Sequence, residues 1–167
     1  MLLRTGMRIC ELLALTPQDI NLRARTVVIH ESAKNGQGRI LYISDDAYKA
    51  LRKWMKVRDP KRKFLFHSRS RQNMSYETAR SAFMKCLRKS HLVKKRYTLH
   101  CLRHTFASEL LSARMPLESL QILMGHSHVE ITRRYARLTN TALENDYFRS
   151  MQIIERGGIN GSYRHDF

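Results

Sequence analysis

Residues 98–135 constrain this chain more than any other stretch, because helical apolar spacing, a glycine turn and four chemistry-bearing side chains fall within them. Leu99, Leu102, Phe106, Leu110 and Leu111 make the apolar stripe of one helix. Pro116 suits the first turn of a second helix over residues 117–124, and Gly125 suits a left-handed cap at its end. His100 and Arg103 are three apart, so on a helix both face one ligand. His126 follows the glycine, and Tyr135 comes nine residues later within a new apolar pattern. An arginine with two histidines suits an oxyanion such as a phosphate. Guanidinium offers a planar fork of donors, and imidazole donates or transfers a proton. A tyrosine beside them is a candidate nucleophile.

Charge narrows the partner. The 167 residues fit one domain able to bury a core, with a hydrophobic fraction of 43%. They carry 31 Lys plus Arg against 14 Asp plus Glu, a net +17 at pH 7. Self-repulsion on this scale predicts a polyanionic partner, with nucleic acid the leading candidate over mere solubility. Cys10, Cys86 and Cys101 are odd in number and lack paired spacing, as in a reducing cytosol. Neither a signal peptide nor a membrane-spanning run is evident, so a soluble, cytoplasmic protein is expected, associated with the nucleoid when bound to DNA.

In chain order, residues 7–15 read as a short helix broken before Pro17, with Met7, Cys10, Leu12, Leu13 and Leu15 apolar. Within it, Arg8 needs an acidic partner, for which Glu11 is placed, or an anionic ligand. The chain starts abruptly inside this pattern, which suggests preceding residues. Residues 26–30 and 39–43 read as a hairpin around Asn35-Gly36, with Lys34 near its tip. By composition alone that lysine is a solvated turn residue, although a mobile tip can also bring an ammonium to a ligand. Asp45 and Asp46 open a helix with Ala47, Ala50, Leu51, Trp54 and Met55 inward, and residues 64–66 offer a short third strand. Ser75 caps a helix carrying Ala79, Ala82, Phe83, Cys86 and Leu87 inward. A last helix turns Leu143, Tyr147, Phe148, Met151 and Ile154 inward after a cap at Thr139 or Asn140, Gly157-Gly158 ends it, and residues 157–167 read as a disordered tail. The fold class expected is α+β, mainly helical with a small three-stranded antiparallel sheet. Arg39, Lys61, Arg62, Lys63, Arg69, Arg71, Arg80, Lys94, Lys95 and Arg96 are the expected phosphate contacts.

Thr5-Gly-Met-Arg-Ile-Cys-Glu-Leu12, Lys34 in the hairpin, His100-x-x-Arg103, Leu123-Met-Gly-His126 and Tyr135 together resemble the catalytic domain of the tyrosine recombinase (phage integrase) family. The resemblance spans nearly the whole chain and implies a catalytic domain over residues 1–156, usually preceded in the family by a helical DNA-binding domain. It implies site-specific cleavage and rejoining of double-stranded DNA by a homo-oligomer, a tetramer on DNA, with neither metal nor ATP as cofactor. Arg8 and Arg103 would clamp the non-bridging oxygens of a pentacoordinate phosphorane, and His100 and His126 would donate hydrogen bonds and move protons. Tyr135 would attack phosphorus to give a 3′-phosphotyrosyl link, and Lys34 would protonate the departing 5′-oxygen. Type IB topoisomerases share this chemistry and are one alternative; a DNA-binding module that has lost catalysis is another. A metal site of His100, His104, His126 and His128 is disfavoured, since no acidic general base lies between the helical histidines and an arginine there would repel a cation.

Overall fold

In the computed structural model, which describes residues 1–30, 38–68, 73–125 and 140–157, β1 (Ile20–Asn21), β2 (Thr26–Ile29) and β3 (Arg39–Tyr42) form an antiparallel sheet in that order. The register pairs Ile20 with Val27, Val27 with Leu41 and Ile29 with Arg39. Burial alternates through most of the sheet, with Val27, Ile29 and Leu41 buried and Val28 and Ile40 exposed, until Tyr42 at the end of β3, which is buried too. The sheet has the three strands expected, but its third member is β1 rather than residues 64–66. The Leu65 N–H donates to the Leu15 carbonyl at 2.7 Å and the Leu65 carbonyl accepts the Trp54 indole N–H at 2.9 Å. A neighbouring segment of the same chain and a side chain thus satisfy the Leu65 backbone, and residues 64–66 join no ladder.

Around the sheet lie α1 (Leu2–Thr5), α2 (Ile9–Ala14), α3 (Asp45–Val57), α4 (Tyr76–Lys89), α5 (Leu99–Ser112), α6 (Leu117–Met124) and α7 (Asn140–Glu155). Short 3-10 turns occupy Pro17–Asp19 and Val93–Lys95. Helix α5 is the hub, packed on α1, α6 and α7, and its Phe106 and Leu110 are fully buried. With Leu41 and Ile43 from the sheet side, Leu123 of α6 and Met151 of α7 they form the core. The Tyr147 ring of α7 lies tilted against that of Tyr42, centroids 5.5 Å apart, and its hydroxyl donates to the Arg4 carbonyl at 2.7 Å, tying the last helix to the first. No helix among the described residues is long and apolar enough to cross a membrane.

Several residues expected inward are instead exposed: Ala50, Cys86 and Leu111. Each precedes or follows a buried leucine, Leu51, Leu87 or Leu110. Neighbouring helix positions diverge by about 100°, so the leucine takes the core and the adjacent residue turns to solvent. Cys10 and Ala82 are exposed as well. Of the two expected caps, Asn140 is instead the first residue of α7, while Thr139 and the tail beyond Gly157 lie outside the described residues.

Candidate active site at the end of helix α6

Helix α6 stops because Gly125 adopts the left-handed conformation, φ 63° and ψ 46°, and its N–H closes onto the Gln121 and Ile122 carbonyls. Leu123, Met124 and Gly125 present their carbonyls at this helix end, and a buried carbonyl needs a donor. Three arginines supply it. Arg39 Nε donates to Leu123 O at 2.8 Å, Arg103 Nη2 to Met124 O at 2.6 Å and Arg8 Nη2 to Gly125 O at 3.3 Å. They come from β3, from the second turn of α5 and from the N-cap of α2, elements far apart in sequence. The carbonyl end of a helix carries partial negative charge, which favours this gathering of cations.

Glu11 holds two of the three. Its Oε2 accepts the Arg8 backbone N–H at 2.7 Å and Arg39 Nη2 at 2.9 Å; its Oε1 accepts Arg39 Nη1 at 3.0 Å and Arg8 Nη1 at 3.2 Å. The Glu11 side chain is 1% exposed and that of Arg39 6%, whereas Arg8 keeps 34%. Burial alone would raise the Glu11 carboxyl, but the Arg39 fork and the Arg8 donors prevail and hold it below the usual carboxylate range. Arg103, buried and also bonded to the Gly6 carbonyl, is pushed down to about 10 by burial and by the Arg8 and Arg39 charges, and it stays a cation at neutral pH. Three guanidiniums around one carboxylate leave the group net positive, an environment suited to an anion.

His100 sits one turn before Arg103 on α5, exposed, with its ring edge-on to that of His104 at 4.5 Å. Partial burial, with His104 and Arg103 nearby, lowers its pKa below the ordinary 6.5, so the ring is neutral and able to accept a proton at neutral pH. Tyr147 cannot serve as a nucleophile, because it is fully buried and burial pushes its phenol upward. Lys34, His126 and Tyr135 lie outside the described residues, as do Arg69, Arg71 and His128. His126 is nevertheless the next residue after the arginine-bound end of α6. Among the described residues no three His, Cys, Asp or Glu side chains gather where they could hold a metal.

The chain has relatives. A family model described as the phage integrase family matches residues 1–141. The chain belongs to that family. It is 31% identical over 151 residues to the tyrosine recombinase XerA of Saccharolobus solfataricus, covering 90% of this chain and 48% of that protein. It is 30% identical over 146 residues to XerC of Caldanaerobacter subterraneus, covering 84% and 40%. The chain thus spans about half or less of the length of these relatives. Among solved structures, a XerA recombinase matches with a TM-score of 0.67 at 28% identity, covering 87% of this chain and 54% of that one. The Tn1549 transposon integrase in complex with circular intermediate DNA matches at 0.64 and 26%, with the same coverage. The mainly helical fold with its small antiparallel sheet is that of tyrosine recombinases and integrases.

Of the basic residues singled out within this integrase-family chain, Lys61, Lys63, Arg80, Lys94, Lys95 and Arg96 are exposed. Arg62 is half-buried beside Asp59 at 3.3 Å, and the Lys63 ammonium lies over the Phe64 ring at 5.6 Å. Helix α4, which carries Arg80, packs against both α2 and the Lys94-Lys95 turn, so these cations are linked to the arginine cluster through one helix. Arg39 departs from expectation. Its side chain is not a surface cation but is buried on Glu11 and Leu123 O. The reason is strand parity: Arg39 shares a face with the buried Leu41 and Ile43, so its side chain enters the interior.

Proposed function

We propose that this chain is the catalytic part of a site-specific DNA recombinase that cuts and rejoins double-stranded DNA through a 3′-phosphotyrosine, without metal or ATP. The observation that carries it is the convergence of Arg8 and Arg103, with His100 one turn away, on the end of α6 just before His126. The Xer relatives and the integrase–DNA complex support the reading. The catalytic unit is assigned to residues 1–156, and the active form to a homo-oligomer on DNA.

In this reaction the Tyr135 hydroxyl attacks the scissile phosphorus and its proton passes to His100. Negative charge builds on the non-bridging oxygens, where Arg8 and Arg103 donate, with His126 as a further donor. The phosphorus to 5′-oxygen bond breaks, and that oxygen takes a proton from Lys34. A phosphodiester is exchanged for a phosphotyrosyl ester, so the bond energy is retained and a second 5′-hydroxyl can reverse the step. Incubation with a labelled nicked DNA substrate should yield a covalent protein–DNA adduct that survives denaturation and forms in the presence of a chelator. Tyr135→Phe should abolish it; an adduct that persists in that variant assigns the nucleophile elsewhere.

A further inference from the structure

We propose that Arg39 is a positioning residue of the strand-cleavage reaction, setting Arg8 through their shared Glu11 carboxylate and the end of α6 through the Leu123 carbonyl. The proposal rests on the recombinase reading and assigns a role to a residue at the start of a strand. Arg39 spends a donor on each Glu11 oxygen and its Nε on Leu123 O, all between 2.8 and 3.0 Å. A carboxylate gripped by a planar fork has one orientation, because rotation would break both bonds at once. Each Glu11 oxygen then presents its remaining acceptor direction to Arg8, once to the backbone and once to Nη1.

Among the described residues, Arg8 is held by Glu11, whose plane Arg39 helps to fix, and by a longer contact of 3.3 Å to Gly125 O. Without Arg39 the carboxylate keeps its Arg8 donors but loses the fork that grips both its oxygens, so the Glu11–Arg8 pair can shift together. The Leu123 carbonyl also loses its donor, at the point where the chain leaves α6. Gly125 fits the same construction. A Cβ there would stand 2.9 Å from Arg39 Cζ and from Nη1, so the helix end and the guanidinium are in contact as well as bonded. The influence of Arg39 falls on the oxyanion clamp through Arg8.

The test uses single-turnover adduct formation by the full chain on two nicked DNAs, one with an ordinary scissile phosphodiester and one with a neutral methylphosphonate there. The methylphosphonate lacks one charged non-bridging oxygen, so misplacement of Arg8 matters less to its cleavage. Arg39→Ala should slow the phosphodiester reaction by about 100-fold while DNA affinity changes by less than about threefold, the pattern of a displaced catalytic group. Arg39→Lys keeps the charge but loses the fork, and should slow it by about 10-fold. Both deficits should shrink on the methylphosphonate. Equal deficits on the two substrates, or a Lys variant as fast as the unsubstituted chain, overturn the proposal alone. If Arg39→Ala does not fold, Arg39→Lys carries the same comparison. Absence of any adduct with the unsubstituted chain overturns the recombinase reading, and this proposal with it.

Discussion

Arg103 and Met124 are joined by a 2.6 Å hydrogen bond from a buried guanidinium to the middle of three successive carbonyls at the end of α6. Arg103 is thus held from the carbonyl side, with a second bond to Gly6 O across the junction of α1 and α2. Gly6 is itself in the left-handed conformation, and a Cβ there would lie 2.2 Å from Phe106 Cδ1. Only glycine allows α5 to approach so closely, and that approach puts the Arg103 guanidinium between two pieces of backbone. The clamp is therefore a product of two glycine turns, each ending a helix and each exposing a carbonyl for an arginine.

Glu11 should be worth far more to stability than a surface carboxylate. Glu11→Gln keeps the shape but removes the buried charge that the Arg39 fork and Arg8 share, a loss expected to cost about 3 kcal/mol. Urea denaturation of the two chains measures it. Because the folded Glu11 carboxyl lies below its ordinary 4.5, its contribution is fully present above that value and is lost as pH falls through the lower folded pKa. The stability of the Gln variant should accordingly fall less steeply in that acid range. Identical slopes for both chains would remove Glu11 from the linkage.

Much of this was legible beforehand. The spacing of His100 and Arg103 and the glycine stop at Gly125 follow from helix geometry, and the structure contains both; Glu11 is one of two partners the sequence leaves open for Arg8, and the two meet at the extended N-cap of α2 rather than within a helix. The role of Arg39 was not read, although its parity with Leu41 and Ile43 carries the signal. A charged residue in a strand suggests a surface until its partner is known, and the partner lies 28 residues earlier. The third strand was misassigned for a related reason. Residues 64–66 have strand-like composition, but their backbone partners, Leu15 and Trp54, are set by tertiary packing rather than local pattern.

Gly125→Ala should disturb the site by two routes. The left-handed φ of 63° costs a side chain roughly 1–2 kcal/mol, and the added Cβ pushes on the Arg39 guanidinium at 2.9 Å. Thermal unfolding should show the destabilisation, and single-turnover cleavage should slow beyond what that loss explains. Gly125→Asn is the discriminating control, because asparagine tolerates the conformation better but still carries the Cβ. If Asn restores stability and cleavage together, the contact with Arg39 is irrelevant; if it restores stability alone, the contact matters.

His100 should impose a pH dependence on cleavage with a predictable sign. A general base works when neutral, so the rate should rise with pH through the His100 pKa and level off above it. That inflection lies below 6.5, because partial burial and the neighbouring His104 and Arg103 all disfavour the imidazolium. His104→Ala removes one of these influences, and the inflection should move upward. A profile for single-turnover adduct formation that is flat across this range would exclude His100 as the base. An unmoved inflection in the Ala variant would instead assign it to another group.

The turn at Lys94, Lys95 and Arg96 should contribute affinity without sequence information. All three side chains are exposed, and the turn packs on α4, which bears Arg80 and in turn packs on α2. Contacts of this kind release counterions from DNA, so each one lost lowers the slope of log affinity against log salt by about 0.9. Replacing all three with alanine should therefore reduce the slope by up to about 3 while leaving the ratio of specific to non-specific binding nearly unchanged. Titrations of labelled duplexes at several salt concentrations measure both quantities. A lower specificity ratio with an unchanged slope would mean that these residues read bases rather than phosphates, and an unchanged slope and ratio would place the DNA on another face of the domain.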